Sequence, residues 1–391
     1  MIDVPSHLLR WPLIAALFLM VAGCSNAPAP TPAEATKAAT ESSATTAEVE
    51  KPKEPITPDL LRQRLELAIE HVRARDLQTT NAFWTVFHGM LGLGPNTPLV
   101  DPKSGARVPA LKYVFGGEFP FGEIRGARFV PTAEGLDVTI GPVHVGQGHQ
   151  DQFIAEMAQW GVKKDTPVRV FGKDYTMMDF VRETMAHSRP AGQELSWSVV
   201  VIATYIGTDA DWTNKFGEKL TFETLLQSEY KADPNIQACG GTHHLFGLTW
   251  CYYTHLRNGG NVEEGIWKDV KKKLDEHVDI AKKYQNPDGS FSSNYFRGPG
   301  TTADLEARLG SSGHTLEWLA THLPDEQLTE PWLQEAAMAV SLMILDSKAM
   351  PIESGALYHA THGLSTYHHR VYKHPVSAAK EAPVENDVEK K

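Results

Sequence analysis

Six short apolar segments, each opened by Gly, His or an aromatic residue, recur along the chain with amphipathic stretches between them. They are Ala82-Phe-Trp-Thr-Val-Phe-His88-Gly89, Gly148-His149-Gln-Asp-Gln-Phe-Ile and Leu195-Ser-Trp197-Ser-Val-Val-Val-Ile, then Gly240-Gly-Thr-His243-His244-Leu-Phe-Gly-Leu-Thr-Trp, Ser312-Gly313-His314-Thr-Leu-Glu317-Trp-Leu and Tyr358-His359-Ala-Thr-His362-Gly-Leu-Ser. Measured at His88, His149, Trp197, His244, His314 and His362, they stand 61, 48, 47, 70 and 48 residues apart. A period near 48 with two insertions predicts a ring of helical hairpins, each pairing a buried helix with a half-exposed one.

The intervening stretches supply the half-exposed partners. In 58–76, Leu60, Leu61, Leu65, Ala68, Ile69 and Val72 form one stripe with charge opposite, and Pro58 stands at the first turn. Similar patterns span 175–187, 220–230, 265–285 and 331–346. The stretch 92–145 differs, with clustered Gly and Pro and short alternating pieces such as Ala127-Arg-Phe-Val and Leu136-Asp-Val-Thr-Ile140. It predicts a long excursion with a small β-hairpin where an outer helix would stand.

The ends of the chain speak of location. The run from Trp11 to Ala22 is apolar but too short to span a bilayer, which is the character of a signal-peptide core. Val21-Ala22-Gly23-Cys24 resembles a bacterial lipobox, so residues 1–23 are expected to be removed and Cys24 to carry the lipid. Residues 24–56, built of Ala, Thr, Pro, Glu, Lys and Ser, bury too little apolar area to order themselves and are expected to be a flexible tether. The folded body is expected over 57–374, with a polar tail at 375–391. This predicts an extracytoplasmic lipoprotein anchored to a membrane, facing the periplasm or the cell surface. With 37 Lys+Arg against 48 Asp+Glu, the net charge of −11 provides no basic footprint for nucleic acid.

Gln285-Asn-Pro-Asp288-Gly289-Ser290-Phe291, following an amphipathic helix, resembles the Gln…Asp-Gly-Ser-aromatic repeat of terpenoid cyclases and protein prenyltransferase β-subunits. The resemblance implies an all-α fold, an α/α toroid of about six hairpins. Tyr358-His359…Leu364-Ser365 resembles the stretch carrying the prenyltransferases' zinc-binding histidine. No Asp precedes Cys239 or Cys251 at that family's Asp-x-Cys spacing, and no Asp-x-Asp-Asp acid motif is present. The resemblance therefore carries the fold and not the reaction.

Seven of the 17 histidines (His88, His149, His243, His244, His314, His359 and His362) fall in the six apolar segments. Imidazoles gathered at one rim suit acid–base work near neutral pH or metal ligation, while singly each can also satisfy backbone groups at a helix start. His244, His314 and His362 are the candidate acid–base groups, with Glu317 orienting His314 from one turn away. His359 and His362, three apart, can share a metal, and Cys239 and His243 can complete the site, since thiolate and imidazole suit zinc. Cys239 and Cys251 are expected to be buried thiols. Trp84, Trp197, Trp250, Trp318 and Tyr358 either line a pocket or belong to the core. Two functions follow: a lyase or hydrolase acting on a glycan or similar polymer, which requires no cofactor though zinc fits, or a non-catalytic lipoprotein binding a ligand or partner.

Overall fold

A computed structural model describes residues 55–117, 129–141, 144–190 and 194–373. The expected signal peptide, the lipidation site Cys24, nearly all of the tether and the tail lie outside these residues. The described residues are mostly helical. In order come α1 (Pro58–Arg73), α2 (Phe83–Leu93), the short α3 (Ala110–Phe115), α4 (Gln152–Gln159), α5 (Met177–His187), α6 (Ser196–Tyr205) and α7 (Phe222–Lys231). There follow α8 (Thr242–Arg257), α9 (Gly265–Lys283), α10 (Leu305–His322), the short α11 (Asp325–Leu328), α12 (Pro331–Ser347) and α13 (Ser354–Tyr372). None is long and apolar enough to cross a membrane.

The amphipathic stretches are α1, α5, α7, α9 and α12, and each buries one face. In α1 the buried side chains are Leu61, Leu65, Ala68, Ile69 and Val72, the stripe seen in the sequence without Leu60, which is half-buried. Its start is set by Thr57, whose Oγ1 accepts from Leu60 N, and by Pro58 in the first turn. The recurring apolar segments lie in α2, α4, α6, α8, α10 and α13. These helices are enclosed nearly all round: in α6 every residue from Ser196 to Ala203 is buried. A helix with no polar stripe has to be covered on every side.

Contacts among the enclosed helices pass from α2 to α4, then to α6, α8, α10 and α13, and from α13 back to α2. Their register carries the sequence period. Trp250 Nε1 donates to Thr204 Oγ1 across 46 residues, and Ser198 Oγ to Asp151 Oδ2 across 47. Between α8 and α10, Trp318 Nε1 reaches Thr249 Oγ1 and Tyr253 Oη reaches His322 O, both across 69 residues. A separation that stays constant along a pair means the two helices run parallel. Their starts therefore meet: Trp84 at the head of α2 donates to Glu353, the N-cap of α13, whose own N–H donates to Glu306 in the first turn of α10.

Close approach of α10 and α13 depends on small residues. A Cβ added at Gly313 would lie 2.6 Å from Ala360 Cβ. Gly313 stood out in the sequence as a segment opener; here it is a contact point, and α10 begins at Leu305, capped by Asp304, whose Oδ1 accepts from the N–H groups of Glu306 and Ala307. His314 is consequently in the middle of its helix, not at the start.

Where 92–145 interrupts the pattern, β1 (Leu77–Gln78) pairs in parallel with β2 (Pro98–Val100), β2 pairs antiparallel with β3 (Arg107–Pro109), and β4 (Phe129–Pro131) forms a hairpin with β5 (Leu136–Val138). Two further hairpins were not foreseen. β6 (Pro167–Val170) pairs with β7 (Lys173–Thr176) and β8 (Asp211–Thr213) with β9 (Lys219–Thr221), and each leads into an outer helix through a capping threonine, Thr176 for α5 and Thr221 for α7. In the Pro-Asp-Gly turn, Asp288 Oδ1 accepts from the Ser290 backbone and hydroxyl, while Gln285 Nε2 donates to the carbonyls of Gly289 and Trp332. Trp84, Trp197, Trp318 and Tyr358 are core residues, and Trp250 is half-buried.

Replacing Gly313 with Ala is expected to push α10 and α13 apart and cost about 1–3 kcal/mol, the usual range for overpacking a dense interior. A denaturant midpoint unchanged from wild type would show that the helices can separate freely.

Candidate functional site

The enclosed helices bring imidazoles to their common centre. α2 contributes His88, the turn before α4 His149, α8 His243, α10 His314 and α13 His359. The rings of His314 and His359 stack with centroids 4.1 Å apart, and His243 lies 5.4 Å from each. His88 is 5.3 Å from His359 on one side, and His149 is 5.0 Å from His243 on the other. His88, His243, His314 and His359 are buried; His149 is partly exposed.

Four of the five rings are anchored by the same atom. His88 Nδ1 donates to Trp84 O at 2.9 Å and His314 Nδ1 to Gly310 O at 2.7 Å, each one helical turn back. His359 Nδ1 meets Glu317 Oε2 at 2.7 Å, and His149 Nδ1 meets Glu194 Oε2 at 2.8 Å. A carbonyl or carboxylate only accepts, so Nδ1 carries the hydrogen and Nε2 is left as an acceptor, which in His88 takes the Gln152 amide at 3.3 Å. His243 is the exception: both of its ring nitrogens are buried without a hydrogen-bond partner among the described residues.

Burial, joined by the neighbouring imidazoles, pushes His88 and His243 well below the ordinary histidine range, and His314 is pushed down to about 3. These rings are neutral at pH 7. Burial works against ionisation of Glu317 too, yet the charge and hydrogen bonds of His359 and His362 hold it well below the usual carboxylate range. Glu156 on α4 goes the other way: burial and the Glu317 charge push it well above that range. Its Oε1 accepts from Gln152 Nε2, which also lies 3.3 Å from His88 Nε2, and its Oε2 has no partner among the described residues.

Three overlapping sets of ligand atoms result, each set lying within 4.8 Å: His149, Cys239 and His243; His243, His314 and His359; His88, Glu156 and His359. A buried polar atom left unpaired costs about 1–3 kcal/mol, and a cation at the centre would give such a nitrogen a partner. Ring nitrogens anchored through Nδ1 to carbonyls and carboxylates are also what metal-binding histidines require of their surroundings. These buried clusters can hold a metal ion.

Among the residues singled out from the sequence, Cys239, His243, His314 and His359 meet at this centre. His362 stands behind it, its Nδ1 2.6 Å from Glu317 Oε1 and its ring 6.1 Å from Trp160. Glu317 thus binds two histidines of α13 and not His314, because its side chain reaches across to the neighbouring helix. His244 faces away from His243: its Nδ1 lies 2.9 Å from Glu229 Oε1, which also accepts from Ser196, and Lys273 Nζ lies 3.3 Å from its Nε2. Cys251 is buried and Cys239 half-buried. Glu156, Glu194 and Gln152 were not singled out; a lone carboxylate in the apolar run Phe153-Ile-Ala-Glu-Met157 was the available signal for Glu156.

Comparison of the chain with known protein families, with curated proteins and with solved structures finds no match.

The three neutral histidines make acid stability predictable. Their folded pKa values lie below the unfolded value near 6.5, so the stability they confer is complete above that pH and is lost as pH falls through it. Glu156, pushed toward its protonated form when folded, offsets part of that proton uptake, and stability is expected to fall as pH drops from about 6 to about 5. Chemical denaturation of the metal-free protein across that interval measures it, and a flat profile would mean that the rings are not neutral.

Proposed function

We propose that the chain is an extracytoplasmic lipoprotein tethered through Cys24, that its six enclosed helices are the inner ring of an α/α toroid, and that its central histidines hold a zinc ion for hydrolase or lyase chemistry. The observation that carries the metal reading is His243, buried with two unpartnered ring nitrogens amid anchored imidazoles. The toroid reading is supported by the parallel run of α2, α4, α6, α8, α10 and α13 at the sequence period, and by the outer position of the amphipathic helices between them. The likeness of 285–291 to the terpenoid cyclase repeat agrees with it.

His243, His314 and His359 would hold the ion, three imidazole nitrogens, which is a ligand set that suits catalytic zinc. A zinc ion held there would supply Lewis-acid chemistry. The protein's own groups have separate tasks. Glu317 positions His359 through Nδ1. Glu156, buried and pushed toward its protonated form, holds a proton on the enclosed side of the cluster. His149, Glu194 and Cys239 are the partly exposed side of the cluster, so a glycan or similar polymer would approach there. The membrane is reached through the lipid, and the acidic chain has no nucleic-acid partner.

The enclosure of His243, His314 and His359 also favours a second reading, in which the ion is structural and the lipoprotein binds a ligand or partner without converting it. Elemental analysis of the full-length chain, joined to a polysaccharide-cleavage screen, separates the two. Catalysis predicts bound zinc and cleavage that is lost in His314→Ala while the thermal midpoint stays within a few degrees. Zinc without turnover, its removal by chelator lowering the midpoint, supports the second reading, and a protein that binds no metal defeats both.

A further inference from the structure

We propose that the cluster holds two metal ions bridged by the imidazole ring of His243, one ion in the set of His314 and His359 and the other in the set of His149 and Cys239. This rests on the metal reading above and extends it. His243 is the one residue common to both sets. Its ring lies 5.0 Å from that of His149 and 5.4 Å from those of both His314 and His359. A histidine that binds a single ion gives its second nitrogen to a carbonyl or carboxylate, as His88, His149, His314 and His359 do here. His243 has no such acceptor, and both nitrogens are unpartnered although its side chain is buried. A ring with both nitrogens unspent that belongs to two ligand sets is suited to binding an ion at each nitrogen.

The ligands differ between the two positions. The inner one is all imidazole, with Glu156 and His88 just beyond His359. The outer one adds the Cys239 sulfur, and thiolate with imidazole selects zinc or another soft divalent ion. Cys239 is turned to this position by a backbone in the left-handed region (φ 48°, ψ 42°), followed by Gly240 at φ 64° and Gly241 at φ 90°. At Gly241 a Cβ would lie 2.4 Å from Pro234 O. Filling both positions converts the Cys239 thiol to thiolate and the neutral His243 ring to imidazolate. Two protons pass to solvent, and no electron is transferred.

The test is loading of the full-length chain with zinc and, separately, with cobalt(II). Two ions per chain are expected in wild type and one in Cys239→Ser, a variant that leaves the inner ligands His243, His314 and His359 in place. The cobalt form should show a thiolate-to-metal charge-transfer band that Cys239→Ser lacks, and a paramagnetic signal weakened by coupling through the ring. His243→Ala should abolish the coupling, with its circular dichroism checked against wild type. One ion in wild type with no thiolate band overturns the bridge and leaves the single-zinc reading standing. No ion overturns both. Two ions retained in Cys239→Ser, or two uncoupled cobalt ions, also overturn the bridge.

Discussion

A buried carboxylate has to find its hydrogen-bond donors where it stands, and Glu317 finds them on α13. Its two oxygens take the Nδ1 hydrogens of His359 and His362, one turn apart. That bond sets the rotation of α13 about its own axis, since both rings must face α10 at once. With the rotation set, Gly313 meets Ala360 and Gly363 meets the backbone of Glu317, and the remaining nitrogen of His359 turns to the centre. A buried charge is costly unless geometry and hydrogen bonding are both good. Here both are met by a single pair of helices, and the rest of the histidine cluster is arranged around the result.

The two carboxylates nearest the cluster show how place decides protonation. Glu317 has two imidazole donors and stays ionised. Glu156 has one amide donor, the Glu317 charge close by, and stays protonated. A pair of acids pushed apart in this way is a common sign of a site that moves protons. The aromatic side chains once open to a pocket role serve instead to close the centre: Trp318 is fully buried and Trp197 packs 4.8 Å from the His243 ring.

Much of this was legible in the sequence because it is written as periodicity. The five one-sided helices and the six apolar ones follow from where Leu, Val, Ile and charge fall at 3.6-residue spacing. The near-48 repeat reappears as hydrogen bonds between parallel helices. Gly313 misled because glycine marks both a helix end and a close contact, and only the position of Ala360 distinguishes them. His243 and His244 are adjacent, and about 100° of helical rotation sends one to the centre and the other to Glu229; nothing in the pair itself shows which. Glu317 was paired with the neighbour on its own helix because the partner helix is invisible to local spacing. The hairpin at Phe171-Gly172 was missed for another reason: two positive-φ residues joining strands of four residues leave a weak signal beside the strong helix that follows.

The circuit of enclosed helices joins the two ends of the folded chain, for Trp84 and Glu353 stand 269 residues apart. Closing that span costs about 1.6 kcal/mol more in chain entropy than closing the 45 residues between Glu317 and His362. α13 brings His359 to two of the three ligand sets, so no fragment ending before Ser354 contains a complete centre. A chain truncated before that helix keeps His149, Cys239 and His243 and loses the two sets that share His359.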